Sequence, residues 1–328
     1  MRVLVTGGCG FIGRHVVAGL LARGDSVVDV DSLTYAGDPE AHILHSGYTR
    51  IVQDVRDLHP DRLRALGNSR FDALIHLAAE SHVDNSLGSP ERAVGVNVLC
   101  TSRVVEVARF LEISPVVVIS TDEVTGDRED LSPSSETTSI RPSSPYSAGK
   151  AGGEVLAHAY RRSYGMDIRV VRPTNCYGPY QHPEKLIPRC ITSILSGKPA
   201  PLYGDGLQRR DWLHVTDAAM GILAAVDTVT PCGWDTPDPV IYCLGARNIQ
   251  RNVDLVGEIA GVLNGSIERV ADRPGHDRLY CTDPSYADVV LNWRAAWVWG
   301  EALGSTVAWY SSHTDWWKRM ISRGGRWA

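Results

Sequence analysis

Residues 3–13 of the chain read Val3-Leu4-Val5-Thr6-Gly7-Gly8-Cys9-Gly10-Phe11-Ile12-Gly13. The apolar run predicts a buried strand and the amphipathic segment Arg14–Arg23 predicts a helix, so the glycines fall in the turn between them. Gly7 permits the tight turn, Gly10 lets the backbone approach a pyrophosphate at the helix N-terminus, and Gly13 lets the helix pack closely on the strand. This order of elements predicts a dinucleotide site.

A second predicted strand, Ser26–Val30, ends at Asp31. An acid at that place can accept hydrogen bonds from both ribose hydroxyls and repels a 2′-phosphate, which favours NAD over NADP. Further strands are predicted at Ile51–Val55 and Phe71–Ala79. Asp54 has two interpretations at this stage, as a partner for an adenine amine or as an ordinary residue near the end of a strand.

The apolar run Val116–Ile119 predicts a buried strand of a parallel sheet. Thr121, Asp122 and Glu123 follow it, so we predict that these side chains lie at the carboxyl edge of the sheet. Ligands bind at that edge in open α/β sheets. An acidic pair after a strand can also be a helix cap with a solvated charge.

A helix is predicted to begin at Pro145 with Ser144 as its cap. Tyr146 and Lys150 are four residues apart and therefore share one face of that helix. An ammonium group beside a phenol favours the phenolate, so we predict a lowered pKa for Tyr146 and a role as general base. Such pairs occur on many helices, but together with the glycine turn and the acidic pair they favour an active site.

The alternation of strands and helices continues to a strand at Ile168–Arg172. It predicts an α/β fold, a Rossmann-type doubly wound parallel sheet, over residues 1–173 with a returning segment near 211–246. Proline and glycine become frequent after Pro173, and we predict a smaller, mixed C-terminal substrate-binding domain over 174–210 and 247–328. We expect the core of this domain to contain the tryptophans near the C-terminus: Trp293, Trp297, Trp299, Trp309, Trp316 and Trp317.

Composition restricts the partners and the location. The net charge is -5 and the apolar fraction 43%, which argue against nucleic acid or a membrane as partner. The first predicted strand begins at the N-terminus, which leaves no room for a signal peptide. Seven cysteines without a Cys-x-x-Cys pair are typical of reduced core residues, so a cytoplasmic location is expected. The histidines show no ligand spacing, and no metal site is predicted.

These motifs together resemble the extended short-chain dehydrogenase/reductase family, and within it the dTDP-glucose 4,6-dehydratases. The strongest resemblance lies in Thr121-Asp122-Glu123, since related epimerases usually carry small or uncharged residues at the last two positions. Further matching blocks are Leu77–Asp84, Tyr177–Gln181, Pro183–Pro188, Tyr203–Gly206, Arg210–Leu213 and Asp272–Asp277. The resemblance covers nearly the whole chain.

The resemblance implies three groups of site residues. The catalytic residues would be Thr121, Asp122, Glu123, Tyr146 and Lys150. NAD, tightly bound and recycled, would contact Gly7, Gly10, Phe11, Ile12, Gly13, Asp31, Asp54, Val55, Leu77, Ala78, Ala79, Asn97, Tyr146 and Lys150. A dTDP-sugar would contact Ser81, Asn175, Lys185, Leu186, Tyr203, Arg210, Asn252, Arg273, His276 and Tyr280.

The implied reaction converts dTDP-glucose to dTDP-4-keto-6-deoxyglucose by oxidation at C4, elimination of water across C5 and C6, and return of hydride to C6. Tyr146 would take the proton of the 4-hydroxyl, Glu123 the C5 proton, and Asp122 would protonate the departing 6-hydroxyl. The resemblance also implies a homodimer, paired through the helices of Asn97 and Tyr146.

The sequence departs from the family pattern at Thr125, Gly149 and Cys176, where tyrosine, serine and asparagine are usual. A related NAD-dependent dehydratase, epimerase or decarboxylase acting on a UDP- or CDP-sugar is the alternative enzyme. An NAD-binding regulator without catalysis is the alternative class, and it would tolerate Tyr146→Phe without loss of function.

Overall fold

The protein is built around a parallel sheet of seven strands. In this computed structural model the described residues are 1–42, 44–67, 70–128, 132–230 and 240–324. The strands of the sheet are β1 (Arg2–Thr6), β2 (Ser26–Asp31), β3 (Tyr48–Val52), β4 (Ala73–His76), β5 (Val116–Ile119), β6 (Ile168–Pro173) and β10 (Val240–Leu244). Their order across the sheet is β10-β6-β5-β4-β1-β2-β3. The order reverses direction between β1 and β4, and this is the place where a doubly wound sheet opens a crevice for a ligand.

Burial explains why these segments form the central strands. Every residue of β4, β5 and β6 is buried. Parallel strands covered on both faces by helices are apolar along their length. The fold class is therefore the Rossmann-type doubly wound sheet that the alternation of elements predicts.

Helices cover both faces of the sheet. The helices are α1 (Phe11–Ala22), α2 (Pro60–Arg64), α3 (Val83–Gly88), α4 (Pro90–Leu111), α5 (Pro145–Tyr164), α6 (Leu186–Leu195), α7 (Val215–Asp227), α8 (Asn252–Val262), α9 (Ser285–Val290), α10 (Trp299–Ser312) and α11 (Thr314–Ser322). Val16 and Leu20 of α1 share one core with Ile222 of α7. Val104 of α4 and Ala157 of α5 lie in the core on the opposite face.

A second module lies at the carboxyl edge of the main sheet. Its mixed sheet contains β7 (Asn175–Tyr177), β9 (Arg209–His214), β11 (Ile249–Arg251) and β13 (Leu279–Tyr280), and a further pair contains β8 (Ala200–Tyr203) and β12 (Ile267–Val270). A third core, which includes residues of α6, α8, α10 and α11, supports these strands. The module thus brings its loops to the edge where β1, β4 and β5 end. The two-domain boundaries stay a prediction.

Several predicted element ends are wrong by a few residues. The third strand is Tyr48–Val52 and not Ile51–Val55, because the Asp54 side chain accepts from Arg56 N and starts a short 3-10 turn at Val55–Asp57. This local hydrogen bond competes with the ladder. Helix α1 begins three residues before Arg14, and the fourth strand is shortened to Ala73–His76.

The C-terminal tryptophans were predicted to lie in the core of the second module and the cysteines to be reduced core residues, and the structure agrees in part. Trp316 and Trp317 are buried in the core of the second module, whereas Trp293 packs in the main-sheet core and Trp297 is 41% exposed. Six cysteines in the described ranges have free thiols, and five of them are buried. Cys232 and most of the loop Asp227–Pro239 lie outside the described residues. No helix in the described part of the chain is long and apolar enough to cross a membrane.

Candidate active site

A cleft of about 690 Å³ opens at the carboxyl edge of the main sheet, between it and the second module. Its wall contains Thr121, Asp122 and Glu123. The predicted cofactor residues in the wall are Gly7, Gly10, Phe11, Ile12, Gly13, Asp31, Asp54, Val55, Leu77, Ala78, Ala79, Tyr146 and Lys150. The predicted substrate residues in the wall are Ser81, Asn175, Lys185, Leu186, Tyr203, Arg210, Asn252, Arg273 and His276. Distant segments of the chain therefore meet in one cleft.

Two predicted site residues lie behind the cleft wall. The amide of Asn97 accepts from Glu80 N (2.9 Å) and donates to Glu80 O (3.1 Å). Asn97 is 2% exposed, so its side chain holds the strand-to-helix connection that carries Ser81. Tyr280 is also buried, and the Arg210 guanidinium lies 4.5 Å from the centre of its ring. Asn97 and Tyr280 therefore contact residues of the cleft wall, Glu80 and Arg210, and do not line the cleft themselves.

The glycine turn leaves the beginning of α1 open to the cleft. Gly7 has φ +78°, and a Cβ on it would lie 2.6 Å from Ala78 N. A Cβ on Gly13 would lie 2.0 Å from Gly7 O, so the close approach of α1 to the turn requires glycine. In the described structure α1 has neither a side-chain cap nor an acidic residue in its first turn. Its first N–H groups can therefore bind a pyrophosphate.

Two carboxylates at the end of β2 hold this turn. Asp29 Oδ1 accepts from Gly8 N (2.8 Å), and Asp31 accepts from Cys9 N (3.0 Å) and Leu33 N (2.7 Å). Cys9, Asp29 and Asp31 bring possible ligand atoms within 4.8 Å of one another, but these hydrogen bonds already explain the cluster as an anchor of the backbone. Asp31 also lines the cleft, where its remaining lone pairs can accept from a ribose.

Asp54 is engaged by a neighbouring arginine. Its carboxylate accepts from Arg56 Nε (3.0 Å) and Nη2 (2.7 Å). These contacts lower the pKa of Asp54, with the Arg56 hydrogen bond as the main cause. The side chain lines the cleft and also carries this local ion pair, so the contact of Asp54 with an adenine amine stays a prediction.

Helix α5 begins as predicted and brings Tyr146 and Lys150 to the cleft. The Ser144 hydroxyl accepts from Ser147 N (3.1 Å) in a capping box, and Pro145 occupies the first turn. Lys150 Nζ donates to Ile119 O (2.8 Å), the last residue of β5. This contact fixes the lysine against the strand end that precedes Thr121.

The predicted lowering of the Tyr146 pKa is wrong for this structure. Burial, and next to it the charge of Glu123, raise the pKa of Tyr146 above its ordinary value. Burial also lowers the pKa of Lys150 to about 8, so the ammonium is itself weakened at the place where it would favour the phenolate. Burial and the charge of Glu123 thus raise the pKa of Tyr146, an effect that helix spacing alone does not reveal.

The adjacent carboxyl groups have different surroundings. Burial, together with the Glu123 charge, raises the pKa of Asp122 to about 8. Among the described residues Asp122 Oδ2 has no hydrogen-bond partner. Burial raises the pKa of Glu123 too, but the charges of Arg273, Arg210 and Lys185 oppose that shift. The geometry thus favours a protonated Asp122 as acid and a charged Glu123 as base.

This environment makes Asp122 a source of instability at high pH. A carboxyl whose folded pKa is raised stabilises the fold only while it is protonated, so stability is lost as the pH rises toward about 8. We expect Asp122→Asn to unfold at the same urea concentration as the wild type near pH 4, which is close to the pKa of an unfolded aspartate. At pH 9 the variant should be more stable by about 2 kcal/mol or more. Urea unfolding at both pH values measures this, with the exposed Asp315→Asn as the control. Equal pH dependence of wild type and Asp122→Asn would contradict it.

Cationic side chains from the second module line the opposite wall. Lys185 Nζ donates to Ser81 O (2.6 Å), and Arg273 Nη1 contacts Asp84 Oδ1 at 3.3 Å. Arg210 is 4% exposed and donates to Asp277 O (2.9 Å). Buried, partly paired guanidinium groups suit a diphosphate.

Several buried polar atoms in this wall have no partner within the described chain. They include Asn175 Oδ1, Asn252 Oδ1 and Arg273 Nε. Buried polar atoms are normally hydrogen-bonded, so an unpartnered set in one cleft indicates a polar ligand. Asn175 and Asn252 lie at the beginnings of β7 and α8, which explains how residues distant in sequence meet here.

Sequence reasoning missed several residues of the wall, among them Tyr35, Glu184 and Arg189. Arg189 lies four residues after Lys185 on the first turn of α6, so helical spacing could have indicated it. Tyr35 donates to Glu184 Oε1 (3.1 Å) across 149 residues of chain, and no sequence pattern reveals that contact.

The structure explains two of the three departures from the family pattern. Thr125 is buried and its hydroxyl donates to Asp122 O (2.8 Å), which closes the turn that carries the acidic pair. A Cβ on Gly149 would lie 3.1 Å from Asn97 Cβ, so glycine allows α5 to approach α4 closely. Cys176 lines the cleft, donates to Thr174 O (3.4 Å), and has a pKa that burial raises.

Fold and site together define an enzyme that binds a dinucleotide and carries an acid–base pair beside a tyrosine and a lysine. The chain belongs to the NAD dependent epimerase/dehydratase family, whose model matches residues 3–232. It is 43% identical to a dTDP-glucose 4,6-dehydratase of Streptomyces griseus, over 98% of both chains. It is 39% identical to dTDP-glucose 4,6-dehydratase 1 of Escherichia coli K12, over 96% of this chain and 94% of that one.

Solved structures show the same likeness. The dTDP-glucose 4,6-dehydratase DesIV of Streptomyces venezuelae, in complex with NAD and dTDP, has a TM-score of 0.90 and 38% identity, over 98% of this chain and 100% of that chain. A UDP-glucose 4-epimerase of Thermotoga maritima has a TM-score of 0.86 at 27% identity, over 96% of this chain and 100% of that one. Epimerases share the fold, so the fold alone does not determine the reaction.

Proposed function

We propose that the protein is a dTDP-glucose 4,6-dehydratase, an NAD-dependent hydro-lyase that forms dTDP-4-keto-6-deoxyglucose. The observation that carries this function is the pair Asp122 and Glu123, whose surroundings favour an acid and a base side by side. Elimination of water requires both groups, whereas epimerisation at C4 requires neither. The similarity to named dehydratases over nearly the full chain supports the same reaction.

The residues at the amino end of α1 fit NAD. The open helix N-terminus suits the pyrophosphate and Asp31 suits the ribose hydroxyls. When bound, NAD supplies the acceptor for the hydride of C4 and the donor that returns it to C6. The small residues Ala78 and Ala79 leave room for it beside the strand ends.

Tyr146, Thr121 and Lys150 would act on the 4-hydroxyl of the sugar. Tyr146 takes the hydroxyl proton in its phenolate form. A hydrogen bond with Thr121 favours that form, while burial and the charge of Glu123 oppose it. Lys150 lies one turn away on the same helix and is held against Ile119 O. The buried site excludes water from the developing carbonyl group, which strengthens each of these interactions.

Glu123 and Asp122 would then perform the elimination. The 4-keto group acidifies the C5 proton, and Glu123 removes it. Asp122 gives its proton to the departing 6-hydroxyl, so that water leaves across C5 and C6. The protonated Glu123 then gives its proton back to C5 when C6 receives hydride. Oδ2 of Asp122, which has no partner in the described chain, is available for that hydroxyl.

The cationic wall would bind the nucleotide diphosphate. Lys185, Arg210 and Arg273 suit the phosphates, and their charges also oppose the rise of the Glu123 pKa that burial causes. Substrate binding and base strength therefore depend on the same side chains. Tyr203 and Asn252 complete the wall on the side of the second module.

The purified protein, without added cofactor, is to be incubated with dTDP-glucose, with UDP-glucose as the matched control. We expect the dTDP product to be lighter by one water and to show the alkaline absorbance of a 4-keto sugar, with no net accumulation of NADH. An unchanged dTDP-glucose mass in protein that contains NAD would contradict the substrate, and turnover of UDP-glucose instead would favour the alternative dehydratase.

We further propose a cytoplasmic homodimer. The reduced cysteines support the location. For the dimer, the support is an apolar surface on α4 and α5, where Val94 is 38% exposed, Leu99 55% and Val155 58%. Two packed helices that expose such residues can pair with the same helices of a second copy.

We expect Val155→Lys to weaken the dimer by at least about 10-fold, because it places a charge in the proposed interface. Val262 on α8 is similarly exposed, at 61% against 58%, so Val262→Lys is the matched control. Sedimentation equilibrium of the 35.8 kDa chain measures the effect. A monomeric wild type, or equal association of the two variants, would contradict this interface.

A further inference from the structure

The loop between β2 and β3 supplies a long part of the cleft wall. We call residues 32–41 the cofactor loop, since it follows Asp31 and lines the half of the cleft next to the glycine turn. Five of its residues line the cleft: Ser32, Thr34, Tyr35, Ala36 and Gly37. The cofactor loop contains neither helix nor strand, so its position depends on contacts with other segments.

Asp38 provides the most connected of these contacts. It is 3% exposed, and its carboxylate accepts from Glu40 N (3.0 Å), Trp316 Nε1 (2.9 Å) and Arg14. Arg319 Nη2 lies 3.5 Å from Asp38 Oδ1. Asp38 N also donates to Cys9 O (2.9 Å) in the glycine turn. One buried residue thus joins the cofactor loop, the helix of the glycine turn and the C-terminal helix α11.

The C-terminal end makes further contacts with the same loop. Arg323, directly after α11, donates to Leu33 O (3.2 Å) and Thr34 O (3.3 Å). Arg319 Nη1 pairs with Glu40 Oε2 at 2.8 Å. Contacts from α11 and from Arg323 directly after it therefore hold the side of the loop that faces away from the cleft. The other side of the loop lines the cleft.

The charges at Asp38 favour a permanent contact. A buried carboxylate is destabilising unless donors or cations compensate it. Burial raises the pKa of Asp38, but the hydrogen bonds of Trp316, Glu40 N and Arg14 outweigh burial and lower it overall. Asp38 is thus ionised across the working pH range, and the contact does not act as a pH switch.

We propose that Asp38 is a positioning residue for the cofactor: with Trp316 and Arg323 it fastens the cofactor loop to α11 and so slows release of NAD. The proposal rests on the proposed function and adds a structural cause for a retained cofactor. Release requires the loop to move away from the cleft, and the loop cannot move without breaking the hydrogen bonds to Trp316 and Arg323. None of these three side chains lines the cleft itself.

Two substitutions each remove one side-chain group that donates hydrogen bonds to the cofactor loop. Trp316→Phe keeps an aromatic ring in the core but removes the N–H that donates to Asp38, and Arg323→Ala removes both hydrogen bonds to the loop carbonyls. Lys318→Ala is the matched control, because Lys318 lies on the same helix, is exposed, and contacts the Trp317 ring rather than the loop. Arg323→Lys keeps a cation and one donor.

The measurement is the exchange of bound NAD for labelled NAD in the full chain, with the unfolding temperature of the apo protein beside it. We expect release to be faster by about 10-fold or more in Trp316→Phe and in Arg323→Ala, because each loses hydrogen bonds in which one partner is charged, and such bonds are stronger than neutral ones. Arg323→Lys should restore part of the effect, and Lys318→Ala should exchange at the wild-type rate.

Release rates within 2-fold of the wild type in both variants would overturn the proposal. A second result would also overturn it. In that result NAD release is faster only in variants whose apo protein unfolds at a lower temperature, and Arg323→Lys does not restore the slower release. A wild type that contains no NAD and does not dehydrate dTDP-glucose would overturn the proposed function itself, which separates the two failures.

Discussion

Tyr146→Phe is expected to lower turnover of dTDP-glucose by about 10³-fold or more, since general base catalysis contributes about 10²- to 10⁴-fold. The substitution removes only the phenolic oxygen. Tyr146 lies at the start of α5, where its backbone is held by Ser86 Oγ (3.3 Å) and the Ser144 cap, so the helix should form as before. Product mass measures the rate, and NAD content and unfolding temperature should equal those of the wild type.

Tyr160→Phe is the matched control for this prediction. Tyr160 lies on the same helix and its hydroxyl donates to Glu106 Oε1 (2.6 Å), outside the cleft. It should keep the wild-type rate. If Tyr146→Phe retained more than about a tenth of wild-type turnover, Tyr146 would not be the base, and the NAD-binding regulator would become the better interpretation.

The parts of the fold that the sequence predicts best depend on local patterns. The strand Val116–Ile119 has the bounds expected from its apolar run, and the helix Pro145–Tyr164 begins where a serine cap followed by proline predicts. The glycine turn is also largely local, because the positive φ of Gly7 and the close approach of Gly13 to Gly7 O arise within one short segment. Local patterns thus predict the edge of the sheet where the site lies.

Contacts between distant segments are the part that could not be predicted. Trp316 was expected only as a core residue, but its N–H donates to Asp38 across 278 residues. The third strand was misplaced because Asp54 is engaged by Arg56, and an apolar run does not reveal that competition. The raised Tyr146 pKa has the same origin, since Glu123 and burial act on it through the fold rather than through helix spacing.

Glu123→Gln is expected to lower formation of the 4-keto-6-deoxy product by about 10²- to 10⁴-fold. The amide has the shape of the carboxyl group but cannot take the C5 proton. Oxidation at C4 depends on Tyr146 and should continue, so reduced NAD should accumulate on the variant. In ²H₂O the unconverted sugar should take up no deuterium at C5.

Asp122→Asn provides the comparison that assigns the two carboxyl groups. Asp122 is the acid in our proposal because burial and Glu123 raise its pKa to about 8, whereas Glu123 faces Arg273, Arg210 and Lys185. With Glu123 intact, Asp122→Asn should still exchange the C5 proton for deuterium but should not lose the 6-hydroxyl. The reverse result, exchange in Glu123→Gln and none in Asp122→Asn, would interchange the two roles. If both variants exchanged the C5 proton and lost water at wild-type rates, neither carboxyl group would take part in the reaction. The site would then no longer distinguish a dehydratase from an epimerase on this fold.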